Sequence, residues 1–396
     1  MSSSIQGYSI PGYGDMIVDR QRLDPYVQAL KAAIKPGAVV LDIGTGTGFF
    51  AVLACQFGAS KVYAIEPDDA ISVARQVAID NHCADKIEFI QALSTDIDLP
   101  ERVDVIISDL RGITPIYQHH FAAIADARSR FLKPGGVQIP QQDRVWATLI
   151  SDPDYYQSKY LSPWEDAPYG CILTANRQFV TNNWEKHRLH PAQLLVDPQV
   201  WATLDYTTKI ESNVKATMTW TVDRWRGLSE TESGTMHGIG MWFDTTLAEG
   251  IGFSNAPDKP ECIYGNAFLP LSAPVDLGHG DLVTVTLQAN LIGDDYIWSW
   301  QTKVIAGADP HHIKADYQQS TFFSIPRSAQ ALQTRSDSYI PSINESGKID
   351  LIILNWMDAG KSLGDIAQHL NLQFPHRFPT VAKALSYVAE LAQKYS

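Results

Sequence analysis

Apolar side chains recur at helical spacing from about residue 24 to 34 (Tyr26, Val27, Leu30, Ala33, Ile34) and stop at Pro36-Gly37, which predicts a helix closed by a turn. The stretch that follows, AVVLDIGTGTGFFAVLACQFGASKVYAIEPDDAISVARQVAIDN, reads as strand, glycine loop, helix, strand, helix. KIEFIQA and VDVIISDL add two more strands, and a helix is expected over 121–131, followed by a turn at the KPGG of 133–136. Strands alternating with helices imply a parallel sheet covered on both faces.

After about Pro140 the period changes to two. VWATLIS, ATMTWTV, GIGMWFDTTL, LVTVTLQANL and YIWSWQTKVI are rich in Thr, Trp and Val and are separated by Gly, Asp and Pro. That pattern predicts antiparallel strands closing into a barrel. From Lys348 onward the helical period returns, with Ser362 and Asp365 as a capping box and Thr380 as a cap before VAKALSYVAELAQKY. The chain therefore divides into N-terminal helices (1–37), a Rossmann-like α/β domain (38–140), a β-barrel domain (141–330) and a small C-terminal helical module (341–396). Its 396 residues are too many for one core, which fits that division.

Composition narrows the possibilities only a little. With 45% hydrophobic and 19% charged residues the chain is an ordinary globular one. A net charge of −13 argues against nucleic acid as a partner. Cys55, Cys83, Cys171 and Cys262 lie far apart without a C-x-x-C pair, so no zinc pattern is visible, no metal is expected, and a reducing compartment is implied. The N-terminal MSSSIQGYS carries no signal-peptide pattern, and no run approaches the roughly 18 apolar residues of a membrane span. A cytoplasmic protein with no membrane partner is expected.

The chemistry starts at LDIGTGTG. Gly44, Gly46 and Gly48 follow a hydrophobic strand and open a helix, where a missing Cβ lets a ligand approach the backbone. Glu66 ends the next strand, placed to accept both hydroxyls of a ribose. Asp42, just before the glycines, would repel a pyrophosphate but suits a cofactor with an amino group, so S-adenosylmethionine is preferred over a nicotinamide. Ser94 and Asp96 of ALSTDIDLP are placed to meet the adenine edge, with a solvated turn as the competing reading.

At this point the residues resemble the protein arginine methyltransferases, from about Tyr13 to Val304. MIVDRQRLDPY at 16–26 is similar to that family's helix closing over the cofactor, which implies that Arg22 binds the cofactor carboxylate and that Met16 lies near its sulfonium. VVLDIGTGTG, VYAIEP, LPERVDVIISD and FLKPGG match the family's order and spacing. WEDAPYG at 164–170 resembles part of its dimerisation arm, and GMWFD at 241–245 with GFSNAPDKP at 252–260 resembles its barrel. The resemblance implies a class I methyltransferase domain, a barrel with a dimerisation arm, S-adenosylmethionine as cofactor and a homodimer.

The departures concern the acceptor. The two glutamates that clamp a substrate guanidinium in the family fall on Asp109 and Gln118, and its Thr-His-Trp segment falls on Cys262-Ile263-Tyr264. Of the tyrosine-rich start of the closing segment only Tyr8 and Tyr13 are left. Two carboxylates offset the desolvation of one guanidinium, and losing one of them should make peptidyl arginine a poor substrate. On the same loop, ISDLRGITPIYQHHF, Arg111 either binds an acceptor carboxylate or points to water. Asp109 could orient an amine, and His119 or His120 could act as base, at most one of them facing the pocket. The expected activity is N-methylation of a small amino or guanidino metabolite in a specialised pathway. A ribosomal peptide side chain is the alternative, suggested by a faint resemblance of DLIILNWMDAGKSLGDIAQHL to leader-peptide-binding domains, and a non-catalytic scaffold is the other.

Overall fold

The computed structural model describes residues 9–166, 168–208, 211–223, 234–334 and 336–395. Tyr8 and Ala167 lie outside the described residues. The chain forms two compact units, Met1–Pro326 and Arg327–Ser396.

The first unit begins with helices α1 (Ile10–Val18) and α2 (Arg20–Ala33). Asp19 separates them and caps α2, its carboxylate accepting the Arg22 N–H. A parallel sheet follows, of strands β1 (Val39–Ile43), β2 (Lys61–Ile65), β3 (Ile87–Ile90), β4 (Val103–Ser108) and β5 (Leu132–Ile139), in the order β3-β2-β1-β4-β5. The connecting helices are α3 (Phe49–Gln56), α4 (Ile71–Asp80) and α5 (His120–Phe131). β1 is buried along its whole length, as a central strand covered on both faces must be. The strand order switches direction between the parallel strands β1 and β4, so the loops after these two strands open onto one crevice, where open α/β sheets bind ligands.

The KPGG expected as a turn is instead part of β5. Gly135 takes φ +77° and the register against β4 shifts between Val103 and Val105, so an irregularity inside the strand does what a turn was expected to do.

The second half of this unit has two antiparallel sheets among the described residues. β6 (Gln142–Ile150), β7 (Glu185–His187), β8 (Gln199–Asp205), β10 (Gly234–Ala248), β11 (Ile251–Ser254) and β12 (Asn266–Leu277) form one sheet. β9 (Val214–Thr221), β13 (Leu282–Ile292), β14 (Asp295–Ile305) and β15 (Ile313–Ser320) form the other. The expected barrel is thus two sheets around a shared core, stitched by side chains: Trp201 Nε1 donates to the Leu287 carbonyl, Trp220 Nε1 to Asp197, and Trp300 Nε1 to Pro270. Trp220, Trp242, Trp298 and Trp300 are all buried.

Between β6 and β7 the chain makes an excursion through short helices α6 (Pro153–Tyr156), α7 (Ser162–Glu165) and α8 (Arg177–Val180). Tyr169 and Ile172 on it are fully and 84% exposed, respectively. The second unit holds α9 (Ala329–Gln333), α10 (Glu345–Asp358), α11 (Leu363–Gln373) and α12 (Val381–Tyr395). Its own core joins Ile349, Ile353, Ile366, Leu370, Phe378 and Val388. Ser362 and Thr380 make the expected caps, accepting from the N–H groups of Asp365 and Lys383. No helix among the described residues is long and apolar enough to cross a membrane.

Candidate active site

The glycine loop leaves β1 with Gly44 and Thr45 both donating to the Ile65 carbonyl, which fixes it to β2. Gly46 then donates 2.9 Å to Glu66 Oε2, while Asp68 N–H donates 3.0 Å to Glu66 Oε1. Each carboxylate oxygen therefore spends one lone pair on the backbone and keeps capacity for a ribose hydroxyl. Gly48 sits at φ +85° at the N-terminus of α3, and a Cβ there would press on Ala74 at 3.0 Å. The Tyr13 ring of α1 lies where a Cβ on Gly46 would reach, so the N-terminal helix covers the loop.

Asp42 is buried beneath the loop and accepts the Thr45 hydroxyl at 2.6 Å. Burial pushes its carboxyl up to about 7, against the Thr45 bond, with Glu66 adding to the rise. Ser94 is buried in a 3₁₀ turn over Ser94–Asp96, and Arg130 braces the turn by donating to the carbonyls of Ser94 and Ile97. Asp96 is exposed and accepts from Thr95, so the two residues expected together at an adenine edge differ in setting. The lining of this cradle fits S-adenosylmethionine: the glycine loop would admit it to the backbone, the Glu66 oxygens would have acceptor capacity for a ribose, and Asp42 and Arg22 would offer opposite charges to its amino and carboxylate groups.

Asp42 gives a pH prediction. A carboxyl held above its ordinary value binds its proton more tightly when folded, so this group's contribution to stability falls as pH rises from about 4 to about 7. A cofactor ammonium favours the ionised form. Affinity for S-adenosylhomocysteine should therefore weaken about tenfold per unit below pH 7. Calorimetric titration from about pH 6 to about pH 8 checks this; a flat profile would remove Asp42 from the cofactor site.

Arg22 projects from α2 beside this cradle. Its Nη1 donates to the Met16 carbonyl at 3.2 Å, and its Nη2 and Nε reach Asp109 Oδ2 at 2.5 and 2.6 Å. Met16 is half-buried at the end of this chain of contacts. Asp109 is further held by the Tyr264 hydroxyl, 2.7 and 2.6 Å from its two oxygens, and by Arg111 Nη1 at 3.0 Å. Burial alone would raise its carboxyl, but Arg22 and Arg111 outweigh that and keep it below the ordinary carboxylate value. Asp109 is ionised and fully engaged.

Arg111 points neither to water nor to an open pocket. Its side chain is fully buried, with Nε 2.7 Å and Nη2 3.0 Å from the two oxygens of Asp143 on β6. Asp143 also accepts from Tyr206 at 2.6 Å and Thr245 at 2.7 Å, and Arg111 Nη1 donates to the Tyr26 hydroxyl. Asp143, Tyr26, Tyr206 and Thr245 are site residues that the sequence does not single out. For Asp143 a signal existed, because the alternation in QDRVWA puts it on the same inward face as Val145 and Ala147.

Beyond the buried Thr114 and Ile116 the loop faces outward from Tyr117 to His119 before turning in. Gln118 is exposed and adopts φ +41°, a left-handed conformation uncommon outside glycine. His119 is exposed and 3.1 Å from Asp294, in the β13–β14 turn. His120 is buried against Tyr206 at 3.2 Å. Burial, and then the Arg111 charge, push its imidazole down to about 3. It is neutral at physiological pH, so the expectation that it titrates there as a base does not hold. Asp19, at the other rim, accepts the Ile263 N–H at 2.7 Å and the Cys262 thiol at 3.2 Å, so the Cys262-Ile263-Tyr264 segment closes the crevice from the barrel side.

Comparison with known proteins agrees with this geometry. Residues 26–140 match the family model of ribosomal protein L11 methyltransferase (PrmA), and residues 141–304 match that of the arginine methyltransferase oligomerization subdomain. The chain is 30% identical over 308 residues to protein arginine N-methyltransferase PRMT10 of Oryza sativa subsp. japonica, covering 69% of this chain and 78% of the relative. It belongs to the protein arginine methyltransferase family. Probable protein arginine N-methyltransferase 6 of Arabidopsis thaliana is 30% identical over 252 residues, covering 62% of this chain and 55% of that one. Among solved structures, Arabidopsis thaliana protein arginine methyltransferase 10 superposes with a TM-score of 0.66 at 24% identity, covering 79% of this chain and 97% of that one. A Trypanosoma brucei PRMT1 enzyme–prozyme heterotetramer with AdoHcy gives a TM-score of 0.68 at 21% identity, covering 78% and 96%. As a member of this family the protein is an S-adenosylmethionine-dependent methyltransferase, with the expected Rossmann-like sheet and antiparallel β domain.

Proposed function

We propose that this methyltransferase modifies a nitrogen of a small amino or guanidino metabolite in a specialised biosynthetic pathway rather than a peptidyl arginine. The observation that carries the reading is the pair Asp109 and Gln118. One carboxylate is already held by two arginines and a tyrosine, and the other position has an exposed neutral amide. A substrate guanidinium entering there would lose its hydration without gaining the paired carboxylates that offset that loss. The cofactor's sulfonium supplies the electrophilic methyl group, and the chain supplies position: Arg22, Met16 and Tyr13 cover the cofactor while Asp109 and Tyr264 bound the acceptor space. With His120 buried and too weakly basic to hold a proton, and Asp109 engaged, the acceptor should arrive already deprotonated.

A ribosomal peptide side chain is the second reading, favoured by the separately cored helical module that lies beyond the residues matched to the family. The reading places the enzyme in a reducing cytosol, in keeping with four free thiols. The test is incubation with isotopically labelled S-adenosylmethionine and either a glycine- and arginine-rich peptide or a panel of small amines and guanidines, read by mass spectrometry. Label is expected on a panel member and absent from the peptide; efficient labelling of the peptide would overturn the reading.

We also infer a homodimer formed through the 153–184 excursion, supported by the exposure of Tyr169 and Ile172. Ile172→Asp should halve the mass seen by light scattering, and an unchanged mass would exclude this surface.

A further inference from the structure

The family's substrate is a guanidinium between two carboxylates, and this chain contains such an arrangement made from its own residues. The Arg111 guanidinium lies between Asp109 (Oδ1, 3.0 Å) and Asp143 (Oδ2 at 2.7 Å, Oδ1 at 3.0 Å). It packs 6.0 Å from the Tyr26 ring centroid and 5.9 Å from that of Phe243. Asp143 is backed by Tyr206 and Thr245, so the clamp is complete without any ligand. We propose that Arg111 is the specificity-determining residue of this enzyme: an internal guanidinium that consumes the charge of Asp109 and limits acceptors to molecules with no net positive charge.

Charge balance gives the substrate class. Within the clamp Arg22 and Arg111 are cations and Asp109 and Asp143 are anions, so these four cancel and Asp109 keeps no free charge to offer an acceptor. S-adenosylmethionine adds a net positive charge through its sulfonium, since its ammonium and carboxylate cancel. A cationic acceptor would meet the sulfonium and the Arg111 guanidinium at a clamp whose carboxylates are already paired, a costly arrangement. An amine that carries its own carboxylate, as an amino-acid-like zwitterion does, adds no net charge. When such an amine attacks in its neutral form, the methyl carbon leaves sulfur with the electrons of the C–S bond staying on sulfur. The new N–CH₃ bond takes the nitrogen lone pair, which becomes available when the zwitterion's ammonium gives up one proton to solvent before attack, and the product is again an ammonium paired with its own carboxylate. This inference rests on the proposed acceptor reading and narrows it from guanidino or amino nitrogens to amino nitrogens of zwitterions.

The test restores the cationic site. Wild type, Gln118→Glu, Arg111→Met/Asp143→Asn and the triple variant combining all three are incubated with labelled S-adenosylmethionine and a glycine- and arginine-rich peptide. Thermal melting and S-adenosylhomocysteine binding confirm that each variant is folded. The triple variant is expected to methylate arginine at least tenfold faster than wild type and than Gln118→Glu alone. The proposal is overturned if Gln118→Glu alone reaches the triple variant's rate, or if the folded, cofactor-binding triple variant gains nothing. Should the triple variant not fold, Gln118→Glu decides, because its position is exposed: arginine turnover there refutes the role of Arg111, and none upholds it. Arginine turnover by the wild type would instead defeat the acceptor reading itself, a separate outcome.

Discussion

Arg111→Met should lower the free energy of unfolding by about 3–5 kcal/mol, because it strands the Asp143 carboxylate in the core without its cation. Arg111 and Asp143 are both fully buried as side chains, so solvent screening cannot soften that loss. The carboxylate's remaining partners, the hydroxyls of Tyr206 and Thr245, donate hydrogen bonds but carry no charge. Adding Asp143→Asn in the same chain should recover most of the loss, since a neutral amide still accepts a hydrogen bond and no isolated charge is left. Chemical denaturation of wild type, both single variants and the double variant completes the cycle. A loss below about 1 kcal/mol for Arg111→Met would mean that water reaches Asp143.

Glu66→Ala should produce the largest fall in cofactor affinity. Two charge-assisted hydrogen bonds to a ribose, each about 1.5–3 kcal/mol, correspond to roughly a hundredfold to ten-thousandfold change in Kd. The substitution also frees the N–H groups of Gly46 and Asp68, so the loop loses its fixed shape as well as its ligand contact. Glu66→Gln, which keeps one acceptor oxygen, should fall between the two. Titration with S-adenosylhomocysteine measures all three; an unchanged Kd in Glu66→Ala would place the ribose elsewhere.

The parts that could be read from the sequence are those set by neighbours along the chain. The glycine loop, Asp42 and Glu66 belong to one strand–loop–helix–strand unit, so their mutual placement follows from local geometry. The alternating strands β9, β10, β13 and β14 are legible for the same reason. β12 was not, because Pro270 and Pro274 interrupt it; the structure accommodates Pro270 opposite Gly238 beside a register shift, and uses its carbonyl to receive Trp300 and Gln319. β15 was missed because IKADYQQS is too polar to signal a strand. The acceptor side depends on contacts between distant segments. Arg111, in the loop after β4, and Asp143, on β6, are separated by 32 residues, and Tyr264 reaches Asp109 across 155 residues. One inward-facing aspartate in an apolar alternation was the visible trace of that network.

Asp19 has a consequence of a different kind. It caps α2 with one oxygen and with the other takes the main-chain N–H of Ile263, so the lid and the barrel rim share one anchor. Because that anchor reads backbone at residue 263, the side chain there can vary without releasing the lid. The enzyme can thus explore new acceptors on this rim by ordinary substitution, while the machinery that covers its cofactor stays inherited and intact.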